Sequence, residues 1–309
     1  MTSTLLSRRD LDFLLYDWLQ VDRLAAMPRF VAHDRQSFDA TLDLCEQIAT
    51  EQFAPHNKKG DQCEPAFDAE KVTVLPEIKQ ALRAFIDAGM MAAGAPEALG
   101  GMQLPTVVCN AAIAYFMAAN TSALNYALLS TANANTVLAH GSEAQIDAFA
   151  RPVLDGRYFG TMCLSEPQAG SSLSDISTRA VYECESSLGP QYRLSGRKMW
   201  ISGGDQDISE NIVHLVLAKV PGADGKLIPG TRGISLFVVP KFLVAEPHQG
   251  VRNDVTLAGL NHKMGQRGIT NCLLNFGEGT RHRPGGEGGA IGYLLGPLHR
   301  GVGVMFLMM

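Results

Sequence analysis

Apolar residues recur at helical spacing through the first half of the chain. Leu11, Leu14, Leu15 and Trp18 fall at i, i+3, i+4 and i+7, one stripe behind Ser7 as N-cap. A second helix is expected from about Ser37, with Leu42, Cys45, Ile48 and Phe53 inward and a stop at Pro55. Pro76 suits a first helical turn. The stripe Ile78, Leu82, Phe85 and Ile86 follows it, and Gly89 suits the C-terminal cap. Residues 94–101 read as a loop, because Gly94, Gly100, Gly101 and Pro96 interrupt the pattern. Pro105 opens an Ala-rich helix, and another is expected over about 122–140. Gly141 ends that helix, and Ser142 with Gln145 forms a capping box opening a helix toward Leu154.

After Gly156 the period shortens. Segments 158–164, 179–184, 191–194, 198–202, 212–219, 233–239, 255–260 and 272–276 read as strands, with Ser195-Gly196 as a hairpin turn between two of them. Many short strands with little helix between them point to a barrel or sandwich, not to a parallel βαβ sheet. Glycine follows the same divide: 6 of the 31 glycines lie in 1–155 and 25 in 156–309. Residues 277–289 read as a flexible glycine-rich loop. Beyond them Val302, Met305, Phe306 and Met309 look like the opening stripe of a helix that is cut off.

Charge narrows the function classes. With 26 Lys+Arg against 31 Asp+Glu, a net −5, nucleic-acid binding has no electrostatic support. No uninterrupted apolar run approaches the roughly 20 residues of a membrane span, and Arg8, Arg9, Asp10 and Asp12 break any signal-peptide pattern at the start. Six dispersed cysteines without a C-x-x-C pair read as reduced thiols of a cytoplasmic protein, with neither a zinc site nor a disulfide framework. P-loop, G-x-G-x-x-G, H-E-x-x-H and G-x-S-x-G motifs are absent, and the eight histidines are dispersed as surface or satisfied polar residues.

Two segments carry chemistry. In MCLSEPQAGSS (162–172), Pro167 ends a strand and Ala169-Gly170-Ser171 allows a tight turn with exposed backbone N–H groups able to hold an acceptor or anion. By composition alone an ordinary strand-ending loop is the favoured reading. In KMWISGG (198–204), strand alternation places Trp200 and Ser202 on one face, where an indole and a hydroxyl can wall and hydrogen-bond a planar ring. A core Trp beside an edge Ser is the plainer alternative.

Together the two segments resemble the flavin-binding signatures of the acyl-CoA dehydrogenase family. The first is a strand ending T/S-E-P-x-A-G-S-D, carried here by Ser165, Glu166, Pro167, Ala169, Gly170 and Ser171. The second is W-I-T/S-x-G, carried by Trp200, Ile201, Ser202 and Gly204. APEALGG (95–101), GSEAQ (141–145), RGISLFVVP (232–240) and KMGQR (263–267) extend the likeness along the chain. The wording looks most like the branch containing 3-methylthiopropionyl-CoA dehydrogenases. Two positions depart from the pattern: Ser172 stands where the family has Asp, with Asp175 three residues on, and Thr270-Asn271-Cys272 aligns where an Arg is usual.

The resemblance implies an α+β chain. It has an N-terminal all-α domain (1–157), a middle β-barrel domain (158–283), and a linker with the start of a truncated helical domain (284–309). The family's C-terminal four-helix domain is expected to be absent. It also implies FAD-dependent α,β-dehydrogenation of an acyl-CoA thioester, with electron-transferring flavoprotein as acceptor and a homo-oligomer or second chain as partner. Main-chain groups of Met162 and Leu164 and the Ser165 hydroxyl are implied at the pyrimidine end of the ring. Gly170 and Ser171 are implied at the phosphate-proximal part or the pantetheine, Trp200 at the ring's flank and Ser202 near N5. The family's catalytic Glu has no counterpart here, so no catalytic residue is assigned, Glu166 is read as structural, and the 309 residues alone are expected to be inactive. The alternative is a non-catalytic acyl-CoA- or partner-binding remnant of the same fold.

Overall fold

The computed structural model describes residues 5–68, 71–278 and 288–305. Phe306 and Met309 of the expected terminal stripe, and most of the glycine-rich 277–289 segment, lie outside the described residues. The chain forms two compact units, residues 1–64, 75–127 and 265–268 in one, and 65–74, 128–264 and 269–309 in the other.

The first unit is helical. In α1 (Arg8–Asp12) Ser7 caps as expected, accepting from the Asp10 N–H at 3.3 Å. The chain then widens into a π turn over Phe13–Trp18, which rotates the inward face. Leu15 and Tyr16 are therefore buried, while Trp18 of the expected stripe is 70% exposed. α2 (Arg35–Ile48) begins two residues earlier than expected. Asp34 is its cap and Ser37 the reciprocal partner of a capping box. α3 (Asn57–Gln62) follows, then α4 (Pro76–Asp87), with Pro76 at its first position and Gly89 beyond its end at φ +74°. Phe53, Phe85 and Phe116 meet edge-to-face at ring separations of 5.0–6.4 Å and fill this unit's core with Phe38 and Leu42.

α5 (Thr106–His140) runs where two helices were expected. The break exists inside it: Asn120 leaves helical geometry at φ −163°, and its side chain caps the second half by accepting from the Ala123 N–H at 3.1 Å. By length and composition α5 could cross a bilayer, which no uninterrupted run indicated, yet more than half of the relevant stretch is buried within the protein. The correction arises because isolated Asn and Ser residues lie among the apolar ones.

The second unit carries a short ladder, β1 (Ala66–Phe67) with β2 (Val72–Thr73), then α6 (Glu143–Gln145) and α7 (Arg151–Leu154). Both capping-box bonds of Ser142 and Gln145 are present. The main sheet comprises β3 (Tyr158–Cys163), β4 (Arg179–Ser186), β5 (Gly189–Ser202), β6 (Asn211–Lys219), β7 (Ile234–Pro240), β8 (Val255–Leu260), β9 (Asn271–Phe276) and β10 (Ala290–Leu295). Its order is β10-β7-β6-β4-β5-β9-β8, with β3 parallel to β6 and an additional β10–β5 pairing. Two expectations are corrected. Residues 290–295, placed in a linker, form a strand paired to both β5 and β7. Ser195-Gly196 is not a turn: β5 runs unbroken through it, and the hairpin turn is at Ser187-Leu188. Gly196 is instead a close approach, since a Cβ there would lie 2.5 Å from Thr178 Oγ1. A short C-terminal helix, α8 (Gly301–Met305), buries Val304 and Met305.

The strand that leads to the site is locked to α5. Ser130 Oγ accepts from the Gly160 N–H at 2.9 Å, and Asn133 donates to the carbonyls of Thr161 and Val213 at 3.0 and 2.9 Å. A Cβ on Gly160 would lie 2.4 Å from Asn133 Cβ. Gly160→Ala should therefore destabilise the protein by about 1–3 kcal/mol through overpacking, seen as a fall of several degrees in the thermal midpoint. An unchanged midpoint would mean that helix and strand part freely.

Candidate functional site

β3 ends at Cys163, and Leu164 and Ser165 lead into a tight turn. The Glu166 N–H donates to Ala169 O at 2.7 Å and the Ala169 N–H returns a bond to Glu166 O at 3.0 Å. Pro167 presets the turn's first central φ. The loop is anchored from below by the Glu166 carboxylate, 1% exposed, facing Lys198 Nζ, fully buried, at 2.9 Å. The carboxylate also accepts from Ser177 N at 2.7 Å, Ser177 Oγ at 2.9 Å, Thr178 N at 3.0 Å and Gln168 Nε2 at 2.9 Å. Burial by itself would raise the Glu166 pKa; the Lys198 charge and these donors overcome it and hold the carboxyl at about 2. Lys198 donates a further bond to Leu164 O at 3.0 Å. The pair thus binds the loop to β5.

β5 is also where the expectation of simple alternation fails. Lys198 pairs with Leu274 but Ile201 pairs with Cys272, so Met199 and Trp200 together oppose one residue of β9. This bulge puts Trp200 at φ +66°, a conformation that a bulky residue rarely adopts. Alternation would put Lys198 and Trp200 on one face, yet Lys198 is buried and Trp200 is 55% exposed. The bulge therefore separates Trp200 from the buried face that Lys198 occupies. Met199 N donates to Ser165 O at 2.9 Å, which joins the bulge to the loop. After Ser202, Gly203 at φ +67° donates to Thr270 O at 2.9 Å, and Gly204 lies where a Cβ would be 2.8 Å from Cys272 Cβ.

The structure thus brings Leu164, Ser165 and the 198–200 segment together. Gly170 faces them, a Cβ there falling 3.9 Å from Ser165 Oγ. Met162, Leu164, Ser165 and Ser202 are half-buried, and Gly170, Ser171 and Trp200 are exposed. Among the described residues, Ser165 Oγ and the N–H groups of Gly170 and Ser171 take no hydrogen-bond partner. Unclaimed donors beside an outward-turned indole fit a planar ring with polar edges, and so fit a flavin. Strain kept at an exposed aromatic is itself a mark of a functional position. Asp175, the nearest carboxylate in sequence to the departed Asp, accepts from Ser174 Oγ at 3.0 Å.

Two buried groups beside the site carry no distinct sequence signal. Lys198 is one, because burial of a lysine leaves no local signature. His214 sits among apolar residues of β6 and meets Thr161 Oγ1 through Nδ1 at 2.8 Å, with Cys163 Sγ 3.9 Å away. Burial first, then the charges of Lys241 and Arg252, lower its pKa to about 3, while burial raises the Cys163 thiol to about 12. Both are neutral at ordinary pH, and a thiol so raised is unreactive.

Residues 37–157 match the family profile described as Acyl-CoA dehydrogenase, N-terminal domain, and residues 161–278 the one described as Acyl-CoA dehydrogenase, middle domain. The chain is 35% identical over 297 residues to a 3-methylmercaptopropionyl-CoA dehydrogenase of Ruegeria pomeroyi, an alignment covering 96% of this chain and 47% of that protein. It spans about half the length of the curated relatives it matches. Among solved structures, butyryl-CoA dehydrogenase from Megasphaera elsdenii superposes with a TM-score of 0.66 at 17% identity, over 88% of this chain and 61% of that one. An acyl-CoA dehydrogenase complexed with FAD from Bacillus anthracis superposes with a TM-score of 0.65 at 20% identity, over 88% and 40%. These two likenesses are of fold.

Proposed function

Because this chain belongs to the acyl-CoA dehydrogenase family, we propose that it serves the FAD-dependent α,β-dehydrogenation of an acyl-CoA thioester. The observation that carries this reading is the junction of the Ser165 loop with the Trp200 bulge, locked by Glu166 and Lys198. Held there by these residues, FAD would supply the acceptor for the hydride that leaves the β-carbon of the thioester. The chain's own part is to bind and orient. The Ser165 hydroxyl and main-chain groups of Met162 and Leu164 meet one polar edge of the ring. The N–H groups of Gly170 and Ser171 offer donors beside it, the Trp200 indole covers its flank, and Ser202 lies further along β5. Electron-transferring flavoprotein is the proposed acceptor.

Glu166 is not the base. A general base must be free to take a proton near working pH, and this carboxylate is engaged by Lys198 and three other residues and held at about 2. We assign removal of the α-proton to a carboxylate outside the two matched domains. The polypeptide of residues 1–309 should therefore bind FAD but reduce no acceptor dye when offered short, medium or long acyl-CoAs. Dye reduction by the wild-type polypeptide that Glu166→Gln abolishes, with the fold intact by circular dichroism and FAD still bound, would make Glu166 the base and overturn the assignment.

A further inference from the structure

Beyond β10 the chain makes a sharp return. Gly296 is at φ +69° and His299 at φ +61°, and the His299 N–H donates to Ser235 Oγ at 2.8 Å. Gly301 follows in contact with β7, since a Cβ on it would lie 2.4 Å from the Ser235 carbonyl carbon. This return, the Thr231–Gly233 turn before β7 and the end of α5 enclose a cleft of about 400 Å³. His140, Thr231, Arg232, His299 and Arg300 line it, and no carboxylate does.

Three independent features meet at this cleft. Among the described residues, the side chains of Arg232 and Arg300 make no ion pair or hydrogen bond. His140 Nε2 and His299 Nδ1 are buried ring nitrogens without a partner; such orphans are few in folded proteins and call for an explanation. A histidine at positive φ stores backbone strain, and His299 lies within the lining.

We propose that the cleft binds a phosphate group carried by a small ligand. Guanidinium groups match phosphate oxygens with paired N–H donors. Two of them, two imidazoles and the Thr231 hydroxyl supply donors from several directions. The C-terminal end of α5 adds a partial negative charge of about half a unit, which two full positive charges outweigh. The volume exceeds that of a bare phosphate, and Val302 and Val304 give the remainder an apolar wall. Pairing of this kind is screened by salt, so affinity should fall as ionic strength rises.

Calorimetric titration of the purified 309-residue protein with inorganic phosphate, coenzyme A and 3′-dephospho-coenzyme A tests the proposal. Saturable binding of phosphate or coenzyme A is expected, weakened at least about tenfold in Arg232→Gln/Arg300→Gln. Both side chains are exposed and unpartnered, so the variant should keep the wild-type thermal midpoint. Coenzyme A binding tighter than its dephospho form, with the difference lost in the variant, identifies the nucleotide arm of the substrate as the source; only this arm rests on the acyl-CoA reading. Binding of inorganic phosphate with no preference for coenzyme A identifies a free or differently carried phosphate. No saturable binding of any probe, or binding that the variant leaves unchanged, overturns the proposal. Neither FAD nor turnover enters the measurement, so its failure would leave the flavin assignment intact.

Discussion

Lys198→Met should lower the unfolding free energy by about 3–5 kcal/mol, the loss expected when one partner of a buried ion pair is removed and the other is left uncompensated. Glu166 would remain 1% exposed with its other donors but without its counter-charge. Glu166→Gln/Lys198→Met should recover much of the loss, because two neutral side chains of similar volume leave no uncompensated buried charge. Chemical denaturation measures both. A Lys198→Met midpoint equal to that of the wild type would show that the loop does not depend on this pair. The acid limb gives a second signature. Glu166 has a folded pKa of about 2, below its ordinary 4.5. Its contribution is therefore fully present above about pH 4.5 and is lost as pH falls toward 2. In Glu166→Gln that part of the acid sensitivity should disappear. A loosened loop should also retain flavin less well, since Leu164 and Ser165 are held through Lys198 and its neighbour Met199.

Trp200→Gly should leave the fold nearly as stable as before and yet weaken FAD retention by about 5- to 150-fold. Two effects on stability oppose each other. Glycine relieves the positive-φ strain at Trp200, about 1 kcal/mol or more, and returns a similar amount through the greater freedom of the unfolded chain. The exposed indole contributes little burial to the folded protein. Stacking of an aromatic side chain on a flat heterocycle is worth about 1–3 kcal/mol, and that is what the cofactor would lose. Trp200→Ala should bind FAD as weakly as the glycine variant but be the less stable of the two. Fluorescence titration of FAD alongside thermal melts separates the cases. Equal FAD affinity in wild type and Trp200→Gly would remove the indole from the flavin site.

These outcomes turn on features of different legibility. The motifs around Ser165 and Trp200 were readable because the residues that shape a turn or end a strand are neighbours in the chain. Pro167 and Ala169 close the loop within four residues. What they rest upon was not readable. Lys198 has the composition of a surface lysine; only the approach of β3 and β5 surrounds it with Glu166 and Leu164 O. The bulge was equally hidden, since it is defined by two residues of β5 opposing one of β9, a strand some 70 positions away.

Local chemistry by itself determined the helical first half, the change of period near Gly156, the caps at Ser7, Ser142 and Gly89, and most strands of the second half. Each depends on hydrogen bonds and side-chain periods spanning a few residues. The tertiary structure decided the rest. It extended β5 through Ser195-Gly196, because Gly196 is needed against Thr178. It made residues 290–295 a strand, because β5 and β7 offered edges to pair. It turned the first apolar stripe so that Tyr16, and not Trp18, is buried. It also gathered His140, Arg232, His299 and Arg300 around one cleft. Contacts between positions far apart in the chain carry no local period, so packing alone selects among the alternatives that composition allows.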